Sequence, residues 1–84
     1  MAEYEYNLYA ENGDITTGTR KTPFDLDELQ EFVGGNIEII AGKSLPFKGK
    51  VFVVCEDGLY KYKRNSVLPQ FYGPVLIANK KLVK

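Results

Sequence analysis

The chain has 84 residues, of which 44% are hydrophobic and 26% are charged, and its 11 basic and 11 acidic side chains give a net charge of zero. This length predicts one domain, and the composition is typical of a folded globular protein rather than a disordered segment. The sequence contains no histidine and one cysteine, Cys55, which excludes the usual zinc sites and the Ser-His and Cys-His nucleophile pairs.

The charges are distributed unevenly along the chain. Residues 1–41 carry nine acidic and two basic side chains, and residues 42–84 carry nine basic and two acidic ones, so the two halves have net charges of −7 and +7. Opposite charge on two faces would favour self-association or a partner for one face. The alternative is that the halves interleave in the fold, so that their charges neutralise each other locally.

The first elements in chain order form a predicted hairpin over residues 4–20. Residues 4–9 alternate in polarity, which is typical of a half-buried strand. Asn12-Gly13 suits a tight turn because both residues tolerate positive φ angles, and residues 15–20 are expected to return as an edge strand. Pro23 ends this region because it has no backbone amide to donate.

Residues 25–33 carry the clearest local signal, which is that of a capped amphipathic helix. Asp25 is expected to cap the first turn, and Glu28 to complete a capping box. The spacing of the apolar residues predicts one buried stripe: Leu26, Leu29, Phe32 and Val33. Gly34 and Gly35 predict the helix end and a sharp turn, because glycine adopts the left-handed conformation at little cost.

The rest of the chain predicts further strands at residues 36–41, 50–56, 59–64 and 74–79, with a surface loop at 42–49. Residues 51–55 are apolar on both faces, so a second layer or a partner subunit must cover the face opposite the helix. Residues 64–73 are expected to be irregular, with a short helical turn near 66–70. Residues 80–84 are expected to form a short edge strand or a frayed tail.

These elements predict the fold class and the domain organisation. The chain is expected to form a single α+β domain over residues 1–84. Its sheet is expected to be mixed or mostly antiparallel, with five to six strands and one helix (about residues 25–33) packed on it.

One pattern in the chain resembles a known family. It covers residues 24–78 and contains the stretch LQxxVGGxIE (residues 29–38), Glu56-Asp57-Gly58 after an apolar strand, Asn65, and YGPVLI (residues 72–77). This pattern resembles a domain-of-unknown-function family of small proteins encoded mainly by bacteriophages and other large DNA viruses. The resemblance implies a compact α+β accessory protein of a virus, and it implies no established reaction. The lack of a long apolar stretch, the acidic start and the single cysteine predict an intracellular location, in the host cytoplasm or nucleus.

The segment Tyr60-Lys61-Tyr62-Lys63-Arg64 is the best candidate for binding. On a strand, the two tyrosines and Arg64 would project to one side and the lysines to the other. Rings interleaved with cations suit single-stranded nucleic acid or a nucleotide, and Asn65 and Tyr72 are near enough in sequence to complete a polar pocket. The alternative is that the tyrosines pack in the core while the lysines are solvated. Asn65 would then form a turn, and Tyr72 would also pack in the core.

The leading functional hypothesis is a non-enzymatic viral accessory protein. It is expected to form a homo-oligomer that binds or sequesters a small anionic, nucleotide-like ligand or a host protein. The alternatives are a nucleic-acid-binding module that uses residues 60–64 and a structural protein of a virus particle. No catalytic residue, cofactor, metal site or membrane association is predicted, and Cys55 is expected to be a small core residue because it ends an apolar run.

Overall fold

The computed structural model describes residues 3–42 and 48–83. It contains one five-stranded sheet in which all neighbouring strands are antiparallel, in the order β2-β1-β5-β4-β3. The strands are β1 (Tyr4–Tyr9), β2 (Ile15–Arg20), β3 (Ile37–Ala41), β4 (Lys50–Cys55) and β5 (Val75–Asn79). The main helix, α1 (Leu26–Val33), packs on one face of the sheet over β3, β4 and β5. The predicted α+β fold class is confirmed.

Local capping signals determine where helix α1 begins and ends. The Asp25 carboxylate accepts a hydrogen bond from the Glu28 amide at 2.8 Å, and the Glu28 carboxylate accepts one from the Asp25 amide at 3.1 Å. Gly34 ends the helix in the left-handed conformation, with φ of 77°. The prediction that Leu26 belongs to the buried stripe is wrong, because 57% of its surface is exposed. It lies in the first turn, where the helix extends beyond the buried residues Leu29 and Val33.

The helix-facing core joins α1 to the middle of the sheet. Leu29 and Val33 belong to the same buried cluster as Val53 and Leu76, which lie on the neighbouring strands β4 and β5. Phe24 lies at the centre of an aromatic group and makes edge-to-face contacts with Tyr6 and Phe32 at centroid distances of 5.1 and 5.3 Å. These contacts attach the start of the helix to β1.

The opposite face of the sheet is covered by the chain itself. Its buried residues are Phe52, Val54, Val75 and Ile77. Against them pack Leu68 and Phe71 from residues 65–73, here called the covering segment, and the Phe52 and Phe71 rings are 5.4 Å apart. The sequence allowed either a second layer or a partner subunit as the cover for residues 51–55. The structure shows a second layer from the same chain.

The predicted strand at residues 59–64 is wrong. Residues Gly58–Lys61 form a short helical turn, α2, in which the Tyr60 and Lys61 amides donate to the Asp57 carbonyl. A returning strand would need a free edge of β4, but β3 and β5 occupy both edges. Glycine is also required at position 58, where a Cβ atom would lie 2.6 Å from the Tyr72 carbonyl oxygen.

The chain beyond β5 is neither a strand nor a frayed tail over its described part. Lys80–Leu82 form a 3₁₀ turn capped by Asn79, and Leu82 and Val83 are buried in the helix-facing core. The Phe24 amide donates to the Leu82 carbonyl at 2.8 Å, which ties this turn to the start of α1. Residues 43–47 of the expected loop, and Lys84, lie outside the described residues. Within the described part of the chain, no helix is long and apolar enough to cross a membrane.

Ion pairing between the two oppositely charged halves is not seen among residues 3–42 and 48–83. The one ion pair there joins Arg20 to Glu28 at 2.8 Å, and both residues belong to the acidic half. The two halves do interleave as strands, because β1 lies beside β5 and β3 lies beside β4. Interleaving of the backbone therefore occurs without direct pairing of the side-chain charges.

Candidate functional site

The predicted binding residues lie at the end of the sheet where β4 ends and β5 begins. They follow the α2 turn and continue into the covering segment. Tyr60 is the most open of them, with 87% of its surface exposed. Lys63 and Arg64 are exposed as well.

Lys61 and Tyr62 are engaged in holding the end of helix α1. The Lys61 ammonium donates to the Gly34 carbonyl at 2.7 Å, so a cation lies at the negative end of the helix dipole. The Tyr62 ring lies against Gly34 and Gly73, at positions where an added Cβ atom would collide with it. These two side chains therefore have a structural role, and the projection of Tyr60 and Tyr62 from one face of a strand does not occur.

Arg64 and Tyr72 form a pair on the surface. Their backbones form an isolated antiparallel bridge. The Arg64 guanidinium donates to the Tyr72 hydroxyl at 3.0 Å and lies 5.3 Å from the centre of its ring. Nearby, the Lys63 amide donates to the Glu11 carboxylate at 3.0 Å. The segment thus carries an acidic neighbour beside its cations.

Asn65 is buried, with 1% of its surface exposed. Its side-chain oxygen accepts hydrogen bonds from the Val67 and Leu68 amides, both at 2.9 Å. Its side-chain nitrogen lies 2.8 to 3.3 Å from three carbonyl oxygens, those of Gly73, Tyr9 and Ala10. Because both ends of the amide are used, Asn65 has no free group to offer a ligand, and it fixes the covering segment instead.

The seven predicted site residues therefore divide into two sets. Tyr60, Lys63 and Arg64 present side chains to solvent, and their role in binding stays a prediction. The others hold the fold together or are partly buried: Lys61, Tyr62, Asn65 and Tyr72. Glu56 and Asp57 are exposed immediately before α2, so carboxylates flank this end of the sheet and reduce its positive potential.

A groove on the helix side of the sheet is the second candidate site, and the sequence did not single it out. It has a volume of about 420 Å³ and is lined by Leu8 of β1 and by Glu28, Glu31 and Phe32 of α1. The groove exists because α1 packs over β3, β4 and β5 and leaves one side of the helix facing β1. Volumes of this order suit a small ligand or one or two side chains of a partner.

The sequence contained one weak signal for this groove. The residues of β2 directly opposite Leu8 and Tyr6 are Thr16 and Gly18, which are small. The Tyr6 ring fills the space over Gly18, where a Cβ atom would lie 2.5 Å from its hydroxyl. On the β2 side of Leu8, Thr16 is short and exposed, so it leaves this side of Leu8 open. Small residues opposite the apolar face of a strand thus indicate an opening there.

The two carboxylates of the groove differ in their surroundings. Glu28 accepts hydrogen bonds from Arg20 at 2.8 and 3.3 Å, and this contact, helped by the Asp25 amide, lowers the pKa of the Glu28 carboxyl. Arg20 itself lies 4.2 Å from the centre of the Phe24 ring. Glu31 is exposed, and its carboxylate makes no hydrogen bond or ion pair to another described residue. Glu31 therefore supplies the uncompensated negative charge of the groove.

Comparison with family models, with curated proteins and with solved structures gives no match for this chain. Function is therefore inferred from the side chains described above. The groove combines an apolar floor with a free carboxylate. The end of the sheet near α2 combines an exposed ring with two exposed cations and nearby acids.

Proposed function

We propose that the protein is a non-enzymatic binding module for a partner protein, and that its groove accepts an apolar side chain next to a lysine or arginine. The groove between β1 and α1 carries this proposal. Leu8 and Phe32 provide the apolar contact, and Glu31 provides a carboxylate without a partner among the described residues. An anionic ligand fits this groove poorly, because it would meet Glu31 without a compensating cation.

The two kinds of contact contribute unequally. Burying a leucine-sized side chain contributes ~1.5–3 kcal/mol, whereas an exposed ion pair contributes ~0.2–1 kcal/mol. Apolar contact with Leu8 and Phe32 would therefore supply most of the affinity. The carboxylate of Glu31 would mainly select partners by charge, which affects specificity and association rate more than affinity.

A library of random displayed peptides tests this proposal before the partner is identified. We expect selection on the protein to enrich peptides in which Lys or Arg neighbours Leu, Met or Phe. For the best of them, Glu31→Lys should weaken binding about three- to tenfold, since it replaces an attraction by a repulsion of similar size. Binding should also shift the amide NMR signals of Leu8 and Phe32.

Glu5→Lys is the matched control for that experiment. It makes the same change in net charge at another exposed position, on the strand that carries Leu8 but with its side chain on the opposite face of the sheet. Equal loss of binding in both variants would indicate only long-range charge. Enrichment of acidic peptides, or binding that shifts neither Leu8 nor Phe32, would overturn the proposal.

The viral setting enters this proposal through the resemblance of residues 24–78 alone. On that basis the partner is a protein of the infected host, and the module is an accessory protein of the virus. Affinity purification from infected and uninfected cells tests this part. A host protein that binds the groove should be captured by the native protein and captured less by Glu31→Lys. A partner encoded by the virus and present in purified particles would instead favour a structural role.

A second candidate function is nucleic-acid binding at the end of the sheet near α2. The exposed ring of Tyr60, together with the exposed cations Lys63 and Arg64, favours it. Replacing both cations by alanine should weaken binding of single-stranded oligonucleotides and flatten its salt dependence. Lys80→Ala with Lys81→Ala, beyond the other end of β5, is the matched control. Absence of binding at about 50 mM salt would eliminate this function.

A further inference from the structure

Strand β3 forms one edge of the sheet and has little of the usual protection of an edge. Natural edge strands are protected by charged side chains, above all lysine, by proline, by a bulge, by being very short, or by a covering element. The sequence of β3, Ile37–Ala41, is IEIIA, which contains no lysine or proline, and its pairing with β4 continues without interruption. Ile39 is 45% exposed, and Ala41 is exposed. Glu38 is the one charged residue of the strand.

The hydrogen-bond pattern shows which backbone groups of β3 face outward. The Gly42 amide donates to the Lys50 carbonyl and the Glu56 amide donates to the Asn36 carbonyl, both at 2.8 Å. When the register of β3 and β4 is continued by one residue at each end, Gly42 lies opposite Lys50 and Asn36 lies opposite Glu56. Because hydrogen-bonded pairs alternate in an antiparallel ladder, Glu38 and Ile40 also bond to β4.

The intervening residues of β3, which are Ile37, Ile39 and Ala41, therefore direct their amides and carbonyls away from β4. Within the described ranges, no other residue pairs with these groups. They form a row of donors and acceptors with the spacing of a strand. Such a row is a template for another strand.

We propose that this template binds the β3 strand of a second copy of the chain. The two strands pair antiparallel about a twofold axis at Ile39, which joins two five-stranded sheets into one of ten strands. Ile39 then faces Ile39 of the second copy, and Ile37 faces Ala41. All six residues of these pairs present outward amides and carbonyls, so the register satisfies them without rearrangement.

The side chains fit the same register. Ile39 is brought against its own copy, and a large residue meets a small one where Ile37 faces Ala41. Glu38 faces Ile40 of the second copy, so the two carboxylates are offset rather than opposed. The interface is a single strand of five residues, which places it among small, weak interfaces. The dimer is therefore expected to dissociate on dilution.

The other edge of the sheet is less suited to pairing. Strand β2 has the sequence ITTGTR, in which the interior Gly18 weakens the strand. Thr17 and Thr19 are polar, and their hydroxyls are already bonded to Asn7 and Glu3. Pairing of β2 with β3 would also be head-to-tail and would extend into filaments instead of closing.

Sedimentation across protein concentrations from about 10 µM to about 1 mM tests the proposal, because weak interfaces associate in this range. We expect the average mass to rise from one chain towards two. Ile39→Lys should weaken association at least tenfold, since it places two like charges face to face. Ile15→Lys is the matched control, because Ile15 is 54% exposed on the other edge strand and also directs its backbone outward.

Hydrogen exchange locates the interface independently of any substitution. The amides of Ile37, Ile39 and Ala41 should exchange more slowly at high concentration, whereas those of Thr17 and Thr19 in β2 should be unaffected by concentration. A single-chain mass at about 1 mM, or equal association in Ile39→Lys, would overturn the proposal. So would growth beyond two chains that Ile15→Lys abolishes, because it indicates pairing of β2 with β3.

This interface is separate from the groove, so the two proposals can fail separately. Glu31→Lys should leave association unchanged, and Ile39→Lys should leave peptide binding unchanged. If a library peptide protects the β3 amides while the free protein stays monomeric, β3 binds a partner strand and the dimer is wrong. Circular dichroism of each variant confirms that it is folded before the comparison is made.

Discussion

Replacing Asn65 by alanine should destabilise the protein more than the same change at any other uncharged polar side chain in the described part of the chain. The substitution leaves the amides of Val67 and Leu68 and the Gly73 carbonyl without their partner inside the protein. A buried polar group left unpaired costs ~1–3 kcal/mol. Because some of these groups lie close enough to the surface to bind water, we expect a loss of ~3–5 kcal/mol in the free energy of unfolding.

That loss is a large fraction of the total stability. A chain of 84 residues is expected to have a free energy of unfolding of about 4–13 kcal/mol, at ~0.05–0.15 kcal/mol per residue. Urea unfolding followed by circular dichroism measures the change. Asn7→Ala is the control, since its side chain accepts one exposed hydrogen bond from Thr17 at 2.9 Å and should cost less than about 1 kcal/mol.

The structure also predicts how the variant fails. Asn65 fixes the covering segment, which carries Leu68 and Phe71 onto the apolar face of the sheet. Loosening this segment should expose that face, so Asn65→Ala should bind a hydrophobic dye under conditions where the native protein binds none. A loss of stability equal to that of Asn7→Ala, without dye binding, would refute the assigned role of Asn65.

Two further predictions concern the ends of helix α1. Gly34→Ala should cost at least ~1 kcal/mol more than Gly49→Ala. Both glycines have positive φ, but an added Cβ meets the Tyr62 hydroxyl at position 34 and nothing within 4 Å at position 49; equal losses in urea unfolding would contradict this. Arg20 lowers the pKa of the Glu28 carboxyl below the ordinary value of 4.5. Glu28 therefore stabilises the fold above that value, and this contribution disappears as the pH falls through the folded pKa. The native protein should therefore be more stable than Glu28→Gln at neutral pH, and this difference in the free energy of unfolding should shrink as the pH falls. A difference that does not change with pH would contradict this prediction.

The parts of the fold that were predictable from the sequence are those determined locally. Asp25, Glu28 and Gly34 specify the two ends of α1 through contacts within a few residues of each other. The turn at Gly13, with φ of 99°, is equally local. Alternating polarity correctly indicated β1, because one face of that strand is partly buried against the helix-facing core.

The parts that were missed depend on distant residues. Residues 60–63 alternate between tyrosine and lysine as a strand would, and nothing in that segment shows that both edges of β4 are occupied by β3 and β5. Asn65 was recognised as a candidate for binding or for a turn. Its contacts with Tyr9 and Gly73 depend on where β1 and the covering segment lie. The groove was missed for the same reason, since Leu8 and Phe32 come together only in the folded sheet.

The central position of β5 determines when the chain can fold during its synthesis. β5 lies between β1 and β4, yet it is the last strand of the described chain to be made. Before it leaves the ribosome, β1–β2 can form only as an isolated hairpin, which is marginally stable in water, and β3–β4 can pack against α1 but not yet beside β5. Much of the apolar surface of both cores, above all the part that packs beside β5, therefore stays exposed until residues 75–79 emerge. Because that closing step pairs β5 with β1, which is far from it in sequence, we expect folding to be slow for a protein of this size.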